Sequence, residues 1–337
     1  MTFHRSWIMT RALGLILAVC LMFAVGTLGP PHVRGATQLK VAMLFSAPVT
    51  GNSWDGNGYR GLQSIKQNLH AKVAYTESVQ LADISQALRS YATQGYDLIF
   101  GNGFEYGQPM SQVAPQFPKV KFVAITGASS TPANLQEPQF AENQAGYLAG
   151  VVAGLMTKKN KIGCVGGQQL PFVVSQLEGL KLGVKYVNKR ASVHVTYTGS
   201  FTDVAKAKQA AGALVDTGID VLCQKDDNGG PAIIGVAKSR HIWAIGDSED
   251  QNKLAPKVVL TSAVINSPAV ILAIGRQVMN GTFKGGKPYY GVKQHAAGLS
   301  PYHGLVPAGV AKRVAQVAKL IAQGKLTVPL ITKPTNP

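Results

Sequence analysis

Acidic residues are scarce in this chain, and cysteines scarcer. Sixteen Asp and Glu stand against 33 Lys and Arg, a formal charge of +17. That balance fits nucleic acid, an anionic surface, or merely a shortage of acids. The cations are scattered, with Lys158-Lys159-Asn160-Lys161 the densest run, and no nucleic-acid motif accompanies them. Nucleic acid is therefore not the expected partner, and a solvated basic surface is the simplest reading. Three cysteines show no metal-type spacing; Cys164 and Cys223 sit in strand-like runs and can form either one disulfide or two buried thiols. The seven His are dispersed, and only His295 and His303 lie close, without acids at ligand spacing. Gly-x-Ser-x-Gly, Walker and His-Glu-x-x-His patterns are missing, and Gly166-Gly167 alone is no phosphate cradle. An enzyme, a metal and a cofactor are accordingly not expected. An apolar fraction of 46% with eleven Phe and eleven Tyr excludes a disordered or fibrous chain.

The first 36 residues read as an export signal. His4, Arg5 and Arg11 precede an almost unbroken apolar run from Ala12 to Leu28, then Gly29-Pro30-Pro31 and a small-x-small pattern before Ala36. Cleavage near Gly26 and an uncleaved anchor are the alternatives. Leu17-Ala-Val-Cys20 resembles a bacterial lipobox, but Val19 is bulky for its place, so a lipid anchor is not expected. The mature protein is placed in the periplasm or another extracytoplasmic space.

Beyond the leader, apolar strand runs alternate with helical spacing. Leu39–Phe45 is a buried strand leading into Pro48–Gly61, read as a Gly- and Asn-rich loop carrying Trp54 and Asp55. Further strands are expected at 73–76, 97–100 and 121–125, the last ending at Thr126. The pattern restarts at Lys158, giving strands at 162–165, 193–197, 220–223 and 243–245. Their tips carry Phe201, Asp226, Asp227 and Asp247. The strand 258–264 is expected to recross to the first half, with the helix 268–279 packing there. Alternation of this kind implies parallel sheets with helices on both faces. The fold class is thus α/β, with two Rossmann-like lobes joined by crossing strands. The expected lobes are 37–157 with 261–283, and 158–260 with 284–330.

Ligands of open α/β sheets bind at the carboxyl ends of strands. The candidates there are Trp54, Asp55, Phe104, Thr126, Phe201, Asp226, Asp227 and Asp247. Aromatics from opposite lobes can sandwich a planar ring while carboxylates accept its N–H groups. Each also has a plainer reading. Trp54 can cap the helix and pack inward, Phe104 and Tyr147 can be core or cleft wall, Asp226 a loop acid, and Asp203 a helix N-cap.

Several stretches stand in a telling order: Asn52-Ser-Trp54-Asp55 with Gly58-Tyr-Arg-Gly61, Gly103-Phe104, Phe117–Phe122, Glu142–Gly150, Ile162–Gly167, Gly199–Asp203, Ile245-Gly-Asp247 and Leu260-Thr-Ser262. Together they resemble the basic-membrane-protein family, whose members are type I periplasmic binding proteins serving ABC importers. The resemblance spans nearly all of residues 38–325. It implies a receptor that captures a small molecule between two lobes and passes it to a membrane permease, most simply as a monomer. Nucleoside receptors of the family carry Phe-Asn where Trp54-Asp55 stand, an acid where Thr126 stands, and a Lys where Ile265 stands. Those departures point to a free purine base, with a nucleoside or another planar heterocycle second. Trp54 and Phe201 are then expected to stack on the ring, with Thr126 and Asp226 or Asp227 on its edge. Asp247 serves either the ligand or the hinge. A periplasmic sensor that presents its ligand to a receptor remains the alternative to an importer.

Overall fold

The computed structural model describes residues 38–50 and 53–335. The expected leader, with Cys20 and its cleavage site, lies outside the described residues, as do Gly51 and Asn52. The chain opens with β1 (Lys40–Leu44), α1 (Ser53–Leu69), β2 (Lys72–Thr76), α2 (Ile84–Thr93), β3 (Leu98–Gly101), α3 (Gly107–Val113), β4 (Lys121–Ala124) and β5 (Leu135–Gln136). These strands form one parallel sheet in the order β2-β1-β3-β4-β5. β1 shows why its apolar run is unbroken. Val41 and Met43 join the core with Leu62 and Ile65 of α1, while Ala42 and Leu44 face Ile84 and Leu88 of α2.

Then follow β6 (Gln139–Phe140), α4 (Glu142–Met156), β7 (Lys161–Gly166), α5 (Pro171–Val187), β8 (Ser192–Tyr197), α6 (Val204–Asp216), β9 (Val221–Lys225), α7 (Gly230–Ser239), β10 (Trp243–Ser248) and β11 (Val259–Ile265). The chain closes with α8 (Ser267–Met279), β12 (Tyr289–Tyr290), β13 (Ala297–Leu299) and α9 (Ala308–Ala322). The second sheet runs β13-β11-β10-β9-β7-β8, parallel except for β13 against β11. Two doubly wound lobes result. Short parallel β6 and β12 tie two of the crossings together, with Gln139 N–H donating to Pro288 O and Ala141 N–H to Tyr290 O, both at 2.8 Å.

Two crossings differ from the sequence expectation. β11 does not return to the first sheet; it pairs with β10 and β13, and the chain recrosses only after Ile265, where α8 packs on α1. α4 belongs with the second sheet, lying along α5 and against β11 and β13. The reason for the α4 placement is steric. Gly146, Gly150, Gly179 and Gly183 let the two helices meet backbone to backbone: a Cβ on Gly150 would lie 2.1 Å from Leu180 O, and one on Gly183 2.0 Å from Tyr147 O. Cys164 and Cys223 are register partners on β7 and β9, and both are buried free thiols. That settles the alternative in favour of thiols.

Candidate functional site

The carboxyl ends of both sheets converge on a cavity of about 470 Å³. Trp54, Phe104, Thr126, Phe201, Asp227 and Asp247 line it. Trp54 and Asp55 lie in the first turn of α1 and not on a loop, because the helix begins at Ser53. The glycines that suggested a loop serve close packing instead. A Cβ on Gly58 would meet the Asn102 side chain at 2.5 Å, and one on Gly61 would meet Ile271 at 2.6 Å. Trp54 packs inward and also faces the cavity. Its indole N–H donates to Asn102 O at 2.8 Å and its half-buried ring packs on the core, yet it also forms cavity wall.

Asp55 and Asp226 stand behind the wall. Asp55 is buried and accepts from Ala47 N–H at 3.0 Å and Asn102 Nδ2 at 2.7 Å, tying the β1 tip to α1 and β3. Burial pushes its carboxyl up to about 7 despite those donors. Asp226 is fully buried and accepts from Thr198 Oγ1 at 2.8 Å, holding the β8 tip; burial pushes it up to about 6. Asp203 is the N-cap of α6, accepting from Lys206 N–H at 2.9 Å. Tyr147 is buried beside Tyr186 and away from the cavity.

Three cavity residues, Thr126, Asp227 and Ser248, hold left-handed backbone at φ of 62°, 25° and 62°. A β-branched Thr there is costly, and such strain gathers at functional sites. Thr126 Oγ1 donates to Ile125 O at 2.6 Å, which leaves the hydroxyl as an acceptor toward the cavity.

Sequence reasoning missed the floor. Lys225, at the tip of β9, lies between two carboxylates, with Nζ 3.2 Å from both Glu142 Oε2 and Asp247 Oδ2. All three side chains are buried and all three line the cavity. Gln176 Nε2 (2.7 Å) and Ser248 Oγ (2.6 Å) complete Asp247. Burial pushes Glu142 up to about 7, against the pull of Lys225 and with the repulsion of Asp247. For Lys225, burial lowers the ammonium pKa, but Asp247 and Glu142 outweigh it and the net direction is up. A charged residue ending an apolar strand run, as in Val221-Leu-Cys-Gln-Lys225, was the available signal. Phe172 was also missed. It lies between Phe201 (centroids 6.4 Å, planes 11° apart) and Phe104 (6.3 Å, 44°), so it bridges aromatics of both lobes.

The lobes touch at the cavity rim. Asn57 Nδ2 of α1 donates to Ile265 O at 2.8 Å, and Arg60 pairs with Glu249 at 2.5 Å. Glu105, Glu142, Asp227 and Asp247 give the cavity four acids against the single cation Lys225. Such a lining favours a neutral or cationic ligand rich in N–H or O–H donors, and disfavours a phosphate. Among the described residues there is no cluster of His, Cys, Asp and Glu suited to a metal ion, and no helix is long and apolar enough to cross a membrane.

Comparison with known proteins agrees with the architecture. Residues 38–328 match the family Bmp, described as ABC transporter substrate-binding protein PnrA-like. The chain is 31% identical to the ABC transporter nucleoside-binding protein BmpA of Lactococcus lactis, over 87% of this chain and 90% of that one. It is 30% identical to a purine-binding protein of Brucella abortus, over 93% and 88%. A solved solute-binding protein of an ABC transporter system from Conexibacter woesei superposes with a TM-score of 0.75 at 28% identity, covering 88% of this chain and all of that one. With two doubly wound lobes meeting over a lined cavity, and a family match along nearly the whole described chain, this protein belongs to the Bmp family of ABC transporter substrate-binding proteins.

Proposed function

We propose that the cleft captures a free purine base for delivery to a membrane permease. The observation that carries this reading is the lining itself: aromatic faces at Trp54, Phe104, Phe172 and Phe201 around hydrogen-bond acceptors at Thr126, Glu142, Asp227 and Asp247. A planar ring stacks on the first set, and its ring and exocyclic N–H groups donate to the second. The names of the Brucella and Lactococcus relatives, purine-binding and nucleoside-binding, support the same ligand class.

A purine nucleoside is the second reading, and Lys225 favours it. Ile265 stands where nucleoside receptors of the family carry Lys, but Lys225 brings a cation to Asp247 from β9 instead. In either case the ligand binds one lobe and closure buries it, with residues 39–136 and 267–286 forming one lobe and 141–265 and 291–328 the other. We place the working protein outside the cytoplasm, as a monomer released from the leader near Ala36.

Calorimetry and thermal shift on the chain from Ala36 test this, using adenine, guanine, hypoxanthine, their nucleosides, riboflavin, sugars and amino acids. Ligand stabilisation follows RT ln(1 + [L]/Kd), about 4 kcal/mol at a thousandfold excess over Kd. Response to bases and not nucleosides establishes the first reading. Stronger response to nucleosides establishes the second. Silence from every purine rejects both.

A further inference from the structure

We propose that the pole of the second lobe remote from the cleft is a docking surface for an anionic lipid membrane. Strand direction sets this pole apart, whatever ligand the cleft holds. β7, β8, β9, β10 and β11 are parallel, so their amino ends share one end of the lobe and their carboxyl ends share the other. The carboxyl ends hold the acids of the cleft. At the amino ends lie six exposed cations: Lys158, Lys159 and Lys161 where α4 turns into β7, and Lys185, Lys189 and Arg190 where α5 turns into β8.

Hydrogen bonds fuse these two turns into a single surface. Asn188 Nδ2 donates to Asn160 Oδ1 at 2.9 Å, Ser192 N–H to Asn160 O at 2.9 Å, and Lys185 Nζ to Lys189 O at 3.3 Å. The nearby acid offsets the cluster only in part. Asp220 accepts from Thr157 Oγ1 and from the N–H groups of Lys158 and Lys159, at 2.5, 2.6 and 2.9 Å, and sets one negative charge against six positive ones. The next turn is self-paired, Arg240 with Asp216 at 3.0 Å, so the uncompensated patch stops there.

A second observation separates a membrane from a soluble polyanion. The last turns of α4 and α5 end side by side, and each leaves a large apolar side chain in solvent beside the cations: Leu155 at 36% exposed and Tyr186 at 41%. Cations around exposed Leu and Tyr suit a leaflet whose headgroups are anionic and whose interface accepts an amphipathic ring.

Vesicle flotation with the chain from Ala36 tests the proposal, using phosphatidylcholine alone and an equal mixture with phosphatidylglycerol. The expected result is retention on the anionic vesicles only, lost at roughly 0.5 M salt. A Lys158→Glu/Lys189→Glu/Arg190→Glu variant should bind about tenfold more weakly or worse. A variant with the same charge change at the hinge end, Lys293→Glu/Lys319→Glu/Lys325→Glu, should bind as the parent does. All six positions are exposed, so melting checks each fold, and Gln replaces Glu where a variant fails to fold. Equal loss in both variants means net charge alone, and overturns the proposal. So does equal binding to both vesicle types. Leu155→Ser/Tyr186→Ser should weaken vesicle binding and leave inorganic polyphosphate binding unchanged. If polyphosphate binds the pole and this variant floats like the parent, the surface is a polyanion site and the membrane is excluded.

Discussion

Lys225 is the residue on which the cleft floor depends. Two buried carboxyl groups share one ammonium at 3.2 Å each; removing the cation leaves Asp247 without its partner away from water, while Glu142, pushed up to about 7 by burial, can hold a proton. Lys225→Met should cost about 3–5 kcal/mol in urea unfolding. Adding Glu142→Gln should recover part of that loss only above about pH 7, where Glu142 would otherwise ionise, and little of it at pH 5. A Lys225→Met variant as stable as the parent would show the triad to be solvated. Phe172 makes a separate prediction. As the ring between Phe104 and Phe201, it should contribute to stacking, and Phe172→Ala should weaken binding of any planar ligand about tenfold by calorimetry, while Phe172→Tyr keeps most of the affinity. Six of the eight residues picked from the sequence line the cavity, because strand tips are visible where apolar runs stop. Lys225, Glu142 and Phe172 were not picked because their roles arise between elements. Glu142 opens α4 and Phe172 opens α5, and nothing local to either stretch says that those helices lie together. Asp55 and Asp226 illustrate the converse: a tip position that turns inward to pin its neighbours.

The α4–α5 pair is the element that places these residues. Both helices point their amino ends at the cleft, delivering Glu142 from one and Phe172 and Gln176 from the other. Their spacing is set by backbone contact, and Gly150 faces Leu180 O with no flexible side chain to yield. Gly150→Ala should therefore destabilise by about 1–3 kcal/mol, as overpacking does, and should also weaken ligand binding by parting the two amino ends. Gly235→Ala, at an exposed position of α7 where a new Cβ meets nothing within 4 Å, should stabilise by about 0.4–1 kcal/mol and leave binding alone. Equal effects in paired urea titrations would reject the spacer role. Most elements were legible, since the long strands are apolar runs buried on both faces. β5, β6 and β13 were not, being two or three residues long and too short to show a period. β11 was assigned to the wrong lobe because its apolar sequence fits either sheet, and only its pairing with β10 decides.

Across the whole molecule, exposed cations lie at the far pole of the second lobe and at the hinge end as well, while Asp55, Glu142, Asp226 and Asp247, at and behind the cleft wall, are buried. These buried acids give stability a definite pH dependence. Burial lifts Asp55 from 3.8 to about 7, Glu142 from 4.5 to about 7 and Asp226 from 3.8 to about 6. Each native acid thus keeps its proton at pH values where the unfolded chain has released it. Between about pH 4 and 7 the native state binds more protons than the unfolded one, so stability falls as pH rises through that window. The stabilising difference is fully present below the unfolded values and gone above about pH 7, opposite in sign to an ordinary salt-bridged carboxylate. Asp226 alone, at 1.36 kcal/mol per pKa unit, contributes up to roughly 3 kcal/mol of the fall. Urea midpoints should accordingly be higher at pH 5 than at pH 7.5. Asp226→Asn, which has no proton to lose and keeps an acceptor for the Thr198 hydroxyl, should narrow that gap. A midpoint that rises from pH 5 to 7.5 would mean that the cleft acids are ionised in the native state, with Lys225 and the surrounding donors outweighing burial.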